Sequence, residues 1–318
     1  MPPQRSNLRA YLMLGVVMAF WAGNSIVGRA MRGDVGPFTL SFMRWFIACL
    51  VLLPIAARKT WAERATIRAG WLWIVVLGTL GVVLFNALLY NGLRYTTATN
   101  ALLLQASIPA MVLAIDRVLE GTRAPALQVA AVMLSTLGVV TIVLRGDLAA
   151  VAGLPIGRGD AMILIAALAW ALYIVFLKRK PAVSPAVFLL LTFSLGVLTM
   201  APPALLETLE GRNHGWSLRD LGGFVYVGIF PSVVAFYVFN AATEQLGPAR
   251  AGQGITLMPL FGALLSTWLL GERLERFHWI GMAMILGGIV LAALVARRRP
   301  RPQNAGGAGA APPLEDRP

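Results

Sequence analysis

The stretch 247-GPARAGQGITLMPLFGALLSTWLLGERLERFHWIGMAMILGGIVLAALV-295 decides how the chain is read. Two long apolar runs are separated only by Gly271-Glu272-Arg273-Leu274-Glu275-Arg276. A bilayer core of about 30 Å takes about 20 apolar residues in a helix, so each run is long enough to cross it. Pro259 lies inside the first run, where a free helix would kink but a membrane helix tolerates proline.

The same design occurs upstream. Residues 97–111 read TATNALLLQASIPAM; a short charged turn follows, and 131–143 read AVMLSTLGVVTIV. Pro109 precedes Pro259 by 150 residues, as Gly138 precedes Gly288 and Gly78 precedes Gly228. Trp21 precedes Trp170 by 149 and Pro54 precedes Pro202 by 148. Landmarks that recur at one spacing, together with the hydropathy pattern, predict an internal duplication of the kind found in transporter folds.

Composition agrees. Hydrophobic residues make up 58% of the chain and charged residues only 13%, about half the usual share for a soluble domain. Cys49 is the single cysteine, which excludes an internal disulfide, and His214 and His278 form no metal-ligand pattern. No metal or cofactor is expected. The net charge of +13 could suggest nucleic acid, but the basic residues cluster at span ends, where they orient a protein in a lipid bilayer. No nucleic-acid partner is expected.

Ten spans are predicted, at 10–30, 38–57, 70–93, 97–119, 125–144, 159–177, 185–206, 221–245, 248–270 and 277–296. The fold class is thus an all-α integral membrane protein. The first span is too long for the core of a signal peptide and is expected to be retained. Residues 58–69 read as a basic loop and 207–220 as the longest polar loop. The domains are a first five-helix repeat, 8–144; a linker, 145–158; a second repeat, 159–296; and a basic, then Gly-, Ala- and Pro-rich tail, 297–318, expected to be disordered.

Ten crossings place both termini on one side, and roughly two-thirds of the Lys and Arg residues fall on that side. That predicts cytoplasmic termini in a plasma (bacterial inner) membrane. A five-helix unit crosses an odd number of times, so its second copy enters from the opposite face. The loops obey this: 58–68 is basic and inside, whereas its counterpart at 207–220 carries acids and is outside. The prediction is an inverted repeat with a pseudo-two-fold axis in the membrane plane.

Such repeats hold a small-molecule substrate near the midplane, and polar or amphipathic residues deep in spans should mark the place. In the first span Trp21, Asn24 and Ser25 share a helix face; in the sixth, Trp170 and Tyr173 repeat the pattern. Asn86 and Tyr90 in the third, Tyr237 and Asn240 in the eighth, Gln105 before Pro109, and Gln253 and Thr256 before Pro259 complete the candidate substrate-binding set. The bland reading is that Ser, Thr, Asn and Gln simply tie helices together, for about 1 kcal/mol each. The pairing of Trp21 with Trp170 at matching places favours a cavity lining. Arg44, about two turns into the second span, is expected to snorkel to the outer surface; the sharper reading is an anion anchor. Asp116, Glu120 and Glu244 lie at inner span ends and read as interfacial rather than proton-carrying. Ala131, Gly138, Gly281 and Gly288 give small faces to the fifth and tenth spans, suited to close packing in the bundle or to a homodimer through those helices. No enzyme motif emerges: there is no HExxH, GxSxG or P-loop.

With these residues in view, the chain resembles the drug/metabolite transporter superfamily in its EamA-type branch, over about residues 8–295. The resemblance is carried by Pro248-Ala249 through Pro259, by Leu270-Gly271-Glu272-Arg273-Leu274 with Trp279-Ile280-Gly281, by Phe20-Trp21-Ala22-Gly23-Asn24 and by Phe42-Met43-Arg44-Trp45. Leu119-Glu120-Gly121 departs from the Gly-Glu pair expected in the first half. The resemblance implies two EamA repeats and transport of a small metabolite, often export of amino acids or related compounds. A sugar-phosphate or nucleotide-sugar transporter is the alternative, and would want several Lys or Arg in the cavity. A membrane-embedded enzyme lacks a nucleophile–base pair here, and a purely structural subunit leaves the matched aromatic faces unexplained.

Overall fold

The computed structural model describes residues 4–31, 33–92, 95–96, 101, 104–122, 124–147, 157–213, 217–270 and 274–298. Most of the expected linker, the tail beyond Arg298 and the Gly271-Glu272-Arg273 turn lie outside them. Among the described residues the chain forms ten helical elements: α1 Gln4–Met31, α2 Pro37–Ala62, α3 Arg64–Gly92, α4 Ile108–Glu120, α5 Ala126–Val143, α6 Arg158–Arg179, α7 Pro185–Leu209, α8 Leu218–Leu246, α9 in two pieces (Pro248–Gly254 and Leu257–Leu270), and α10 Arg276–Arg298. In seven of them, α1, α2, α3, α5, α6, α7 and α8, a stretch is long and apolar enough to cross a membrane unaided. The remaining three, α4, α9 and α10, are shorter, broken or apolar over only part of their length.

Two sequence expectations need correction. The segment 58–69 is not a loop: α2 runs to Ala62 and α3 begins at Arg64. Its basic side chains sit on helical extensions that meet at a single turn residue, Glu63, because 58–69 contains no Pro or Gly. The prolines of α4 and α9 do not kink a continuous helix either. Pro109 stands in the first turn of α4, after a turn at 106–107, and Pro259 in the first turn of the second piece of α9, after a turn at 255–256. Proline is accommodated there because first-turn amides have no intrahelical acceptor. A hydroxyl bridges each break: Ser107 Oγ donates to the Leu104 carbonyl, and Thr256 Oγ1 to the Gln253 carbonyl at 2.8 Å.

The packing has the symmetry of a duplicated unit. α5 lies on its equivalent α10, and α2 on its equivalent α7. α3 packs on α6 as α8 packs on α1; α4 packs on α6 as α9 packs on α1; α2 meets α8 as α7 meets α3. The equivalents run antiparallel. A Cβ added at Gly138 would lie 2.7 Å from the Gly281 carbonyl oxygen, and one added at Gly288 would lie 2.6 Å from the Ala131 carbonyl oxygen. Residue numbers that rise on α5 as they fall on α10 mean opposite directions. Near the middle Ser135 Oγ donates to the carbonyl of Ile285, its own repeat mate 150 residues on, at 3.4 Å. Trp45 likewise meets its mate Phe193, with ring centroids 4.9 Å apart. The two five-helix repeats are therefore inverted relative to one another.

Carboxylates from opposite repeats fix the α2–α7 pair at both ends. Gly36, the residue before α2, offers no side-chain cap. Glu207 near the end of α7 substitutes: it accepts the Phe38 and Thr39 amides at 3.2 and 2.8 Å and the Thr39 hydroxyl at 3.0 Å. At the other end Glu63, beyond α2, accepts the Ser184 amide before α7 at 2.8 Å. Negative charge at a helix N-terminus satisfies orphan amides and meets the positive end of the dipole. Large apolar side chains such as Leu50, Leu53, Met133, Leu198 and Leu205 face outward, as a lipid-exposed surface requires.

Candidate functional site

α3 and α8 carry the same irregularity at the same place. Each has a six-residue π-helical segment, Thr79–Leu84 and Ile229–Val234, 150 residues apart at both ends. Such bulges loosen the regular ladder and often mark functional sites. Here they shape the centre of the bundle. Gly81, in the first, lies under Tyr173, where a Cβ would come within 2.6 Å of the ring. In the second the Pro231 carbonyl turns inward and accepts two donors, Trp21 Nε1 at 2.9 Å and Arg44 Nη2 at 3.1 Å.

An aromatic cluster fills the contact between the repeats. Trp21 and Trp170 meet edge to face with centroids 5.4 Å apart. Trp170 stacks on Tyr173 at 5.1 Å and touches Phe85 at 4.9 Å. Phe236 and Phe239 of α8 pack on both tryptophans. Tyr173 donates its hydroxyl to Asn240 Oδ1 at 2.7 Å, so the polar end of the cluster points along α8.

The structure thus brings together Trp21, Trp170, Tyr173 and Asn240. It places the other candidates differently. Asn86 is buried but donates to the Val82 carbonyl of its own helix at 2.8 Å, and Gln105 donates to the Ala101 carbonyl at 3.2 Å. Gln253 ties α9 to α5 through the Ala131 carbonyl at 3.2 Å and Ser135 Oγ at 3.1 Å, and Thr256 closes the break behind it. Of these four only Gln253 joins two helices; the bonds of Asn86, Gln105 and Thr256 are local. Asn24 is half-buried on α1, and the side chain of Ser25 lies outside the described residues. Tyr237 is 47% exposed, outside the cluster. It follows Phe236 by one residue, a rotation of about 100° that takes it off the inward face.

Arg44 does not snorkel. Its side chain is 5% exposed and turns into the bundle. Nε donates to Ser232 Oγ at 2.6 Å, the guanidinium carbon stands 4.4 Å over the Trp45 ring, and Tyr90 also faces it. The π segment of α8 supplies the inward acceptors for this orientation.

At the end of the bundle that holds Glu63 and Ser184, the basic run that closes α6 is paired. Lys178 Nζ lies 3.5 Å from Asp116 and 3.0 Å from Glu120; Arg179 lies 3.0 Å from Glu120, and Lys180 3.0 Å from Glu244. The three acids are interfacial partners of these cations.

Sequence reasoning missed Pro231, Ser232, Phe236, Phe239 and Glu207. Pro231 inside an apolar span was the available signal for the first two, and the i, i+3, i+4 spacing of Phe236, Phe239 and Asn240 for the next two.

The fold and this symmetric centre have counterparts in known proteins. Residues 8–144 and 157–294 each match the EamA-like transporter family, and the chain belongs to that family. It is a membrane transporter rather than an enzyme. Among curated relatives, an uncharacterized transporter of Archaeoglobus fulgidus is 29% identical over 90% of this chain and 97% of its own length. The uncharacterized transporter YyaM of Bacillus subtilis is 23% identical over 92% and 95%. A crystal structure 22% identical to this chain superposes with a TM-score of 0.73 over 91% of this chain and 98% of that one, which establishes the shared fold.

Proposed function

We propose that the protein is a secondary transporter that exports an amino acid or a related small metabolite by alternating access between its two repeats. The observation that carries this reading is the contact of Trp21 with Trp170. Equivalent aromatic residues from inverted repeats meet at the centre, where rocking of one repeat against the other would part them and open a cavity. Asn24, Tyr90 and Asn240 would add polar contacts to that lining. The ion pairs of Lys178, Arg179 and Lys180 would close one end in this conformation and separate in the other.

The same reading places the protein in the plasma membrane with both termini cytoplasmic, from the basic asymmetry of its loops. A homodimer through α5 and α10 would use their lipid-facing sides, Met133 and Leu137 with Leu286 and Val290. Their small faces are already paired within the chain.

The test is flux. Purified protein in proteoliposomes should move at least one member of a panel of amino acids and nucleosides, and unlabelled substrate on the far side should accelerate exchange. Flux no greater than in protein-free vesicles across the whole panel would refute the reading.

A further inference from the structure

Arg44 is the one basic residue in the buried set of described residues. None of its partners is a carboxylate: they are the Ser232 hydroxyl, the Pro231 carbonyl, the Trp45 ring and the Tyr90 side chain. Among the described residues no carboxylate pairs with it, although the cations at the bundle ends find acids readily. A guanidinium stays charged in a protein. Buried without a counter-ion, it carries a cost that hydroxyl and carbonyl dipoles offset only in part. Ser232 and Pro231 take two of its five N–H donors, and the Tyr90 side chain also bonds the guanidinium. The shared Pro231 carbonyl joins the guanidinium directly to Trp21 and so to the aromatic cluster.

We propose that Arg44 receives the carboxylate of the transported molecule, so that the substrate class is a small carboxylate with an apolar portion seated against Trp21 and Trp170. This rests on the transporter reading above and adds the chemistry of the substrate. The planar fork of arginine matches a carboxylate, and a charge-assisted pair gains most where water is excluded. A phosphate monoester, with its second charge, would want a further buried cation, and Arg44 stands alone in that set. The arginine is also placed to sense the site's occupancy. It bridges α2 of one repeat and the π segment of α8 in the other, so a bound anion would strengthen the contact between moving parts.

The experiment uses the full-length protein in proteoliposomes and five matched probes: 3-phenylpropanoate, phenylalanine, phenylalaninamide, phenethylamine and phenyl phosphate. The expected result is that the two carboxylates move at least about tenfold faster than the amide and the amine, with phenyl phosphate no better than these. In Arg44→Gln the preference should collapse to within about twofold, while Arg44→Lys retains part of it as a point charge. Because the wild-type comparison needs no variant, misfolding of Arg44→Gln would not rescue the assignment. Equal movement of acid and amide, fastest movement of the phosphate, movement of none of the five, or an intact preference in inserted Arg44→Gln would each overturn it. The transporter reading would fail differently, through absence of flux for every solute in the wider panel as well.

Discussion

The Glu207 carboxylate at the end of α7 holds the Thr39 amide at 2.8 Å and the Thr39 hydroxyl at 3.0 Å, closing the start of α2 from the opposite repeat. Glu63 does the corresponding service for Ser184 at the far end of the same helix pair. Glu207→Ala would strand the Phe38 and Thr39 amides inside the protein. Unsatisfied buried donors cost about 1–3 kcal/mol. The variant should melt earlier in detergent than wild type, and earlier than Glu63→Ala, which gives up a single amide bond. Unchanged melting of Glu207→Ala would show that the cap contributes nothing.

Topology is open to direct labelling. In a Cys49→Ala background, cysteine at the exposed positions Ala65 and Leu218 lies at opposite ends of the bundle. An impermeant thiol reagent added to intact cells should label Leu218→Cys and spare Ala65→Cys until the membrane is opened. The reverse pattern would invert the orientation argued from the basic loops.

Much of this architecture was legible in the sequence because duplication leaves marks that do not depend on geometry. The spacing of 150 that pairs Gly138 with Gly288 also pairs Ser135 with Ile285, which touch, and Trp21 and Trp170, at matching places in the two halves, touch as well. Other features depend on local geometry that side-chain pattern does not encode. A π segment changes which carbonyls are free without changing residue type, so Pro231 could mark the place in the sequence but not its inward acceptor or the inward turn of Arg44. Glu207 looked like part of a polar loop, since a carboxylate capping a distant helix and one facing water have the same sequence. Tyr237 was attractive for its chemistry, but its helix face belongs to the outside.

That distinction yields a prediction about the centre. Each aromatic contact is worth about 0.5–1.5 kcal/mol, or about twofold to tenfold in affinity. Trp21→Ala and Trp170→Ala each lose several such contacts and should depress transport at least tenfold while the protein still inserts. Tyr173→Phe, which removes only the bond to Asn240, should lose less. Tyr237→Ala should transport within about twofold of wild type, because the side chain lies off the cluster. Normal transport by both tryptophan variants would move the site elsewhere.

The placement of acids bears on energy coupling. Proton-driven carriers commonly use a carboxyl or imidazole within a span, where desolvation lets a proton exchange as access alternates. Among the described residues the buried acids are Asp160, Glu207 and Asp220. All three serve helix ends: Asp160 caps the Gly157 amide and receives the Thr96 hydroxyl, Asp220 closes a box with Ser217, and Glu207 caps α2. Asp116, Glu120 and Glu244 are ion-paired at the end of the bundle. Arg44 cannot exchange a proton. The expectation is a facilitator or exchanger that follows the gradient of its substrate. In proteoliposomes an imposed pH gradient should change the initial rate little and should not raise the internal substrate above the external concentration. Glu120→Gln and Glu244→Gln should behave alike in this respect, since their partners are cations at the membrane surface. Uphill accumulation driven by the pH gradient, abolished by a protonophore and lost in one of these two variants, would show that an end-placed acid becomes the proton carrier in the other conformation.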